Sequence, residues 1–367
     1  MYNSVRIYRL KDFDHTEEDL SKALAEHKSR DPEGMEKSTI GWGSPFAKHS
    51  DELIHSVMGI HRITFVTTER ILPKPAVDCV VEDKIEEFVE EYDREPEKKE
   101  IGTIRNAARD SMIPKAFIRR KRLNGVIDTK GGYLFVLTAA GKKADDFTSL
   151  LRKSLGSLKA YPLETTQAVQ PIMTRWIRDA EMPRDLEAGE KCTLVDKLND
   201  PDCKNPEIKF NHADAGNRDV SRLLEDGMEI TALGVQWRNT FNLSINSDLV
   251  ISGIKGTDFF TEKADEKVTG AADTEEGKAY RAHADSMLLI YGEYFRSLSD
   301  DILQWFGGEA DYAKLAEERH GIKEVPVEEK DGADQPVGFK GKPGADEEQE
   351  EMFCEDATVE SAESDAA

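Results

Sequence analysis

The last 46 residues, from Ile322 onward, cannot help to build a hydrophobic core. They carry fifteen acidic residues against four lysines and are punctuated by Pro326, Asp331-Gly332, Pro336 and Gly341-Lys342-Pro343-Gly344. With so few large apolar side chains to bury, such a segment cannot offset the entropy of ordering itself. The composition predicts a disordered acidic tail over residues 311–367, so the fold must be specified by the first three hundred or so residues. The tail also redistributes the charge. Of the formal net charge of −23, −11 sits in those 46 residues, which leaves −12 on the remaining body. An acidic surface repels a polyanion, but a mildly acidic body can still gather its cations on one face. The tail would then either solubilise the chain or mimic DNA and compete for that face.

Within the body, strand-like and helix-like periods alternate. Val5–Leu10 and Ile60–Thr68 read as strands, and Ile71-Leu72-Pro73-Lys74-Pro75 ends the second because neither proline donates to a ladder. From Asp78 to Arg94 the apolar residues Val81, Ile85, Phe88, Val89 and Tyr92 recur at helical spacing, and a further helix spans Lys98–Met112, stopping before Pro114. Leu20 and Leu24 mark a helix over Glu17–His27, and Ala144, Phe147, Leu151 and Leu155 mark one over Lys142–Leu155 with Gly156 as its C-cap. Ala116–Leu123 reads as a strand, and Asn124-Gly125 suits a tight hairpin turn before Val126-Ile127 and Tyr133–Leu137. After Tyr161-Pro162 the pattern restarts with a short helix at Met173–Arg178, a polar irregular stretch from Met182 to Asn217 and a helix at Arg218–Asp226. Strands at Glu229–Trp237, Thr240–Ile245 and Leu249–Ile254 and a long helix at Glu276–Phe306 complete it. The expectation is an α+β protein with mixed sheets and packed helices. Its parts would be a central domain of residues 1–70 and 112–165, a helical tip insertion at 71–111, and a base domain at 166–310.

One block of charge stands out. Between Arg105 and Arg122 lie Arg105, Arg109, Lys115, Arg119, Arg120, Lys121 and Arg122 against a single acid, Asp110. If Ala116–Leu123 is a strand, Arg120 and Arg122 point one way with Ile118, and Arg119 and Lys121 the other way with Phe117. Both faces cannot be dry core. Long cations reach phosphates without reading bases, which is what sequence-independent DNA binding requires; the alternative is a solvated cationic strand with local ion pairs. On the Lys142–Leu155 helix, Lys142 and Lys143 have Asp145 and Asp146 nearby, whereas Arg152 and Lys153 have no acid close in sequence and are the better phosphate candidates.

Several strings resemble the recombination-associated RdgC family in order and spacing: Gly41-Trp42-Gly43-Ser44-Pro45 with His49-Ser50-Asp51, ILPKPAV at residues 71–77, IPKAF at 113–117 and above all LLRKSLGSL at 150–158. A looser match follows through LLEDGMEITALGVQW at 223–237 and Gly307-Gly308-Glu309-Ala310, so the resemblance covers about residues 1–310. The tail and the stretch Glu187–Asn217 depart from it. The resemblance implies a homodimer closed into a ring through two interfaces. Duplex DNA would lie, without sequence preference, in its positively charged hole, where the protein restrains strand exchange by a recombinase. By rough alignment it places Lys209 and Arg218 beside DNA, and it puts Phe117 at the ring-closing contact; a buried core phenylalanine is the alternative for that residue.

Other function classes leave weaker traces. A metal-dependent DNA exonuclease would need converging carboxylates, but Asp78, Asp83, Glu86 and Glu87 read as a solvated helix face, and Asp128 near Lys130 is too common a pairing to signal a metal. No His-Glu-x-x-His or Gly-x-x-x-x-Gly-Lys-Ser/Thr string is present. His49-Ser50-Asp51 cannot converge as a triad from one segment; Ser50 or Asp51 reads instead as the N-cap of a helix through Leu53 and Val57. An acidic protein-interaction module is the third class, and it predicts no DNA affinity. Neither a secretion signal nor a membrane-spanning run is read from the sequence, and Cys79, Cys192, Cys203 and Cys354 lie far apart, as reduced thiols do. The expected location is the cytoplasm, at the nucleoid, with no cofactor.

Overall fold

The computed structural model describes residues 3–47, 49–196, 205–211, 217–258, 260, 276–312 and 314. All belong to one compact unit, Met1–Gly321; the second unit, Ile322–Ala367, lies outside the described residues, as do Cys203, Cys354 and nearly all of the expected tail. The strands are β1 Ser4–Lys11, β2 Ser38–Gly43, β3 Ile54–Val57, β4 Ile60–Ile71, β5 Phe117–Asp128, β6 Tyr133–Val136, β7 Lys159–Pro162, β8 Leu186–Val195, β9 Glu207–Asn211, β10 Glu229–Trp237, β11 Phe241–Asn246 and β12 Ile251–Gly256. The helices are α1 Glu17–Ala25, α2 Lys74–Tyr92, α3 Lys98–Met112, α4 Gly141–Leu155, α5 Val169–Arg178, α6 Arg218–Glu225 and α7 Glu276–Trp305.

The protein is α+β. Its strands join in one sheet of order β2-β4-β5-β6-β1-β12-β11-β10-β8-β9, with β3 added to β4 and β7 to β1. Every pairing between these strands is antiparallel, so the sheet is not mixed as expected. β1 is the seam: Ser4 and Val5 pair with β12, and Arg6–Arg9 pair with β6. The helices α1 and α4 cover one face of the β2–β6 half, where Leu20, Leu24, Phe147 and Leu151 pack on Trp42, Phe65, Ile127 and Leu134. On the opposite side, α7 buries Leu288, Tyr291, Phe295, Leu298 and Ile302 against residues of both halves, including Ile60, Val126, Phe135, Leu233 and Trp237. Each apolar stripe thus removes its area from water against a facing stripe. The antiparallel pair α2 and α3, inserted between β4 and β5, has its own small core of Val77, Val81 and Ala108.

Three local expectations are corrected. Asn124-Gly125 is not a hairpin turn, because β5 runs straight through it: Asn124 pairs with Thr64, and Gly125 with Ile63 on one side and Val136 on the other. Glycine is required here for packing. A Cβ on Gly125 would stand 2.2 Å from Cζ of the buried Phe147 ring. The turn comes four residues later, where the Asp128 carboxylate accepts from the Lys130 and Gly131 amides and Gly132 adopts φ +68°. Residues Ile54–Val57 form β3 against β4, so Ser50 and Asp51 cap no helix; the Ser50 hydroxyl accepts only from the Glu52 amide. The stretch Met182–Asn217 contains β8 and β9; β8 buries Leu186, Cys192 and Leu194, and register shifts against β10 break the alternation that would reveal a strand.

Two of the family-like strings meet in space. The buried Trp42 ring packs edge-on against Phe147, 5.2 Å between centroids, and its indole N–H donates to Ser154 Oγ at 2.9 Å. Gly41 beside it has room for no side chain, since a Cβ would fall 2.5 Å from the Ser29 backbone. The Gly-Trp-Gly string and LLRKSLGSL therefore fasten α4 to the sheet.

Candidate nucleic-acid interface

β5 changes character along its length. Gly125–Asp128 are buried between β4 and β6, whereas all six residues from Phe117 to Arg122 are exposed. β4 pairs with the strand over its full twelve residues, but β6 reaches only Gly125–Asp128, so the cationic half is an edge among the described residues. Neither of its faces is core. This is why four consecutive cations, Arg119, Arg120, Lys121 and Arg122, are tolerated on a strand.

Register sorts them. Cross-strand rows Ser38–Glu69–Arg119, Ile40–Thr67–Lys121 and Trp42–Phe65–Leu123 share the face covered by α4; Arg120 and Arg122 occupy the face toward α7. On the α4 side Glu69 sits between Arg119 and Lys121, paired with both, Lys121 Nζ at 2.7 Å. These two cations, Lys121 foremost, hold the Glu69 carboxyl below its usual range. On the other side Arg120 grips Asp31 at 2.5 and 2.7 Å, and Arg122 Nη1 donates to the Ser44 carbonyl at 2.9 Å. Exposed pairs of this kind are worth about 0–1 kcal/mol, so a phosphate can take over either partner.

The remaining candidates are more dispersed. Arg105 on α3 pairs with Asp78 of α2 at 3.4 Å, and Arg109 and Lys115 lead from α3 into β5 with no carboxylate within ion-pair distance among the described residues. Arg152 Nε donates weakly to the Leu158 carbonyl at 3.4 Å, and Lys153 has no acidic partner among the described residues. Lys153 lines a cleft with Ile40, whose row contains Lys121, so the α4 cations and one side of β5 share a surface. Lys209 pairs with Glu207 on β9, seven strand steps from β5 in the sheet. At about 4.8 Å per step that is roughly 34 Å along the sheet, and the structure does not bring it to the others. Phe117 is 84% exposed and is no core residue.

Three arginines outside that block make long-range contacts within the fold. Arg70 reaches from β4 to the Ile113 and Pro32 carbonyls at 2.6 and 2.8 Å, tying the end of α3 to the sheet. The Arg62 and Arg281 guanidinium groups both lie over the buried Phe46 ring, at 5.6 and 5.3 Å from its centroid. No local sequence signal marks them; long-range folding brings them together. Among the described residues no group of three His, Cys, Asp or Glu side chains converges as a metal site, and no helix is long and apolar enough to cross a membrane.

Comparisons with known proteins bear on this arrangement. A family model described as "Putative exonuclease, RdgC" matches residues 1–309. The recombination-associated protein RdgC of Pseudoalteromonas atlantica is 29% identical over 266 residues, 72% of this chain and 86% of its own length. That of Yersinia enterocolitica is 27% identical over 312 residues, 85% of this chain and 99% of its own. A match over residues 1–309 takes in every strand and helix described above, and the chain is a member of the RdgC family.

Proposed function

We propose that this protein binds duplex DNA without sequence preference and acts in recombination. It would do so as a ring-shaped homodimer at the nucleoid, limiting the access of a strand-exchange recombinase to the duplex. The observation that carries the reading is the exposed half of β5, where Arg119–Arg122 project from both faces of an edge strand on a body of negative net charge. Arginine and lysine held by single exposed carboxylates or carbonyls exchange those partners for phosphates and release counterions in doing so. The recombination-associated names of the relatives agree with a DNA partner, and the exposed Phe117 at the start of β5 suits a contact between two copies.

The description of the matched family favours a second reading, an exonuclease. One experiment separates the two. Labelled duplexes of unrelated sequence are titrated at several salt concentrations, with and without magnesium or manganese. With about four phosphate contacts per subunit, log affinity should fall with log salt at a slope of about −7 for a dimer. Alanine at Arg119, Arg120, Lys121 and Arg122 should weaken binding to all sequences alike. A flat salt dependence rejects the phosphate-binding reading, metal-dependent product proportional to enzyme establishes the exonuclease, and absence of any DNA affinity leaves a protein-interaction module.

A further inference from the structure

A cleft of about 450 Å³ lies beside the α4-side face of β5, between the segment that follows α1, the middle of β2 and the outer side of α4. That volume falls in the range of about 300–1,000 Å³ typical of small-ligand sites. Its walls combine two chemistries. Lys28 and Lys153 line it, both exposed and neither with a carboxylate at ion-pair distance among the described residues, although Glu26 and Asp146 also border the cleft. Arg30 is turned to Glu36, which it holds in a two-pronged pair at 2.6 and 2.7 Å. The apolar part is Ile40, 53% exposed, with Leu150 beside it; the ring of His27 lines the same cleft, and its buried Nδ1 has no hydrogen-bond partner. A half-exposed isoleucine next to two unpaired lysines does not serve the core, which is closed one row away by Trp42, Phe65 and Phe147.

The register fixes where the cleft opens. Ile40 faces Thr67, and Thr67 faces Lys121, so the cleft lies two strand steps from Lys121, about 10 Å. An anion with a flat apolar part, joined to a duplex lying along β5, is what these walls accommodate. We infer that the cleft takes a single unpaired nucleotide at a DNA end, its phosphate between Lys28 and Lys153 and its base against Ile40, Leu150 and His27. This rests on the proposed duplex-binding reading for the position of the rest of the DNA, but the cleft's own chemistry does not depend on it. The consequence is a preference for frayed or overhanging ends over closed duplex.

The test uses the full chain. Affinities are measured for a duplex with a 5′-phosphorylated single-stranded overhang and for the same duplex closed by a hairpin at each end. In parallel, thymidine 5′-monophosphate and thymidine are titrated and followed by calorimetry. The overhang should bind about tenfold tighter than the closed duplex, the scale of one charge-assisted phosphate contact. Lys28→Ala, at a lysine outside the proposed duplex contacts, should remove most of that difference while the closed duplex keeps its affinity, and Ile40→Ser should reduce it. Thymidine 5′-monophosphate should bind in preference to thymidine, and Lys28→Ala should lose most of that preference. Equal affinity for the two duplexes, or a Lys28→Ala variant that weakens both equally, overturns the inference. If no duplex binds but the monophosphate does, in a lysine-dependent way, the cleft stands and the duplex-binding reading falls.

Discussion

Glu69 is the residue on which the charge balance of β5 turns. It stands in one cross-strand row with Arg119 and also reaches Lys121, so one carboxylate restrains two of the four consecutive cations. Glu69→Gln keeps the shape and removes the charge. It should raise affinity for duplex DNA by about two- to fivefold at low salt, the range of an exposed ion pair, and steepen the salt slope; unchanged or weaker binding would show that Arg119 and Lys121 are not phosphate contacts. The run Arg119–Arg122 was legible because so dense a block is improbable in so acidic a chain. Its partners were not, since Glu69 and Asp31 lie fifty and eighty-nine residues away and meet it only through strand register and the path of the loop before β2. A second residue-scale effect concerns buried histidines. Burial lowers the pKa of both His55 and His61 below 6.5, the neutral His61 ring bonding Ser56 and the His55 ring bonding Asp285. The unfolded chain therefore takes up protons first as pH falls through 6.5, and the stability that depends on the neutral rings is lost between that value and the lower folded one. Carboxylates act in a separate window: Glu36, held at about 2, gives its contribution above 4.5 and loses it only as pH falls toward 2. The unfolding midpoint should thus drop between about pH 7.5 and pH 5.5, and less steeply in His61→Gln; parallel pH profiles for the two proteins would refute a role for His61.

The element that matters most is β5, half core and half cationic edge. Its inner half is positioned by Gly125 under Phe147, a ring held between Trp42 at 5.2 Å and Phe65 at 6.1 Å between centroids. Gly125→Ala forces a methyl into occupied space, and overpacking of this kind costs about 1–3 kcal/mol or more. Urea unfolding should show that loss. Gly125→Ala combined with Phe147→Leu should recover part of it, because the two positions contact each other and cannot act additively; strict additivity would mean the strand moves instead of the ring. The same glycine explains where sequence reading failed. An Asn-Gly pair between apolar runs is a sound turn signal when nothing packs above it, but here the helix α4 does, and the contact is made by a residue twenty-two positions away. Helices α2, α3, α4 and α7 were legible to within a few residues because their apolar stripes repeat locally. β8 and β9 were not, since β8 pairs with β10 through two register shifts and β9 is an exposed edge whose pairing supplies what its side chains do not.

At the scale of the compact unit, among the described residues the sheet halves are joined by two β1–β12 ladder pairs, Ser4–Ser252 and Val5–Ile251, and by the Ile254 amide donating to the Asn3 carbonyl at 3.1 Å. Alone, so short a seam would let the halves melt separately. The core does not stop at the seam. Phe295 on α7 packs on Phe135 of β6 at 5.5 Å and on Tyr291 at 5.8 Å, and Tyr291 in turn contacts Phe241 of β11 at 6.1 Å, so one aromatic chain crosses from half to half. Trp42 reports on one side and Trp176 and Trp237 on the other, in different clusters. In single-tryptophan variants retaining each in turn, the fluorescence midpoint should therefore coincide with the far-UV circular-dichroism midpoint of the same variant. Phe295→Ala, which empties a site only 3% exposed, should lower that midpoint for all of them together, at a cost of about 3–5 kcal/mol. The exception is the α2–α3 pair, whose core is three small residues and whose link to the sheet includes Arg70; its amides should exchange with solvent well before the rest. A fluorescence midpoint that departs from the circular-dichroism midpoint of the same variant would show that the aromatic chain across α7 does not couple the halves, and that the seam at β1 sets the limit of cooperativity.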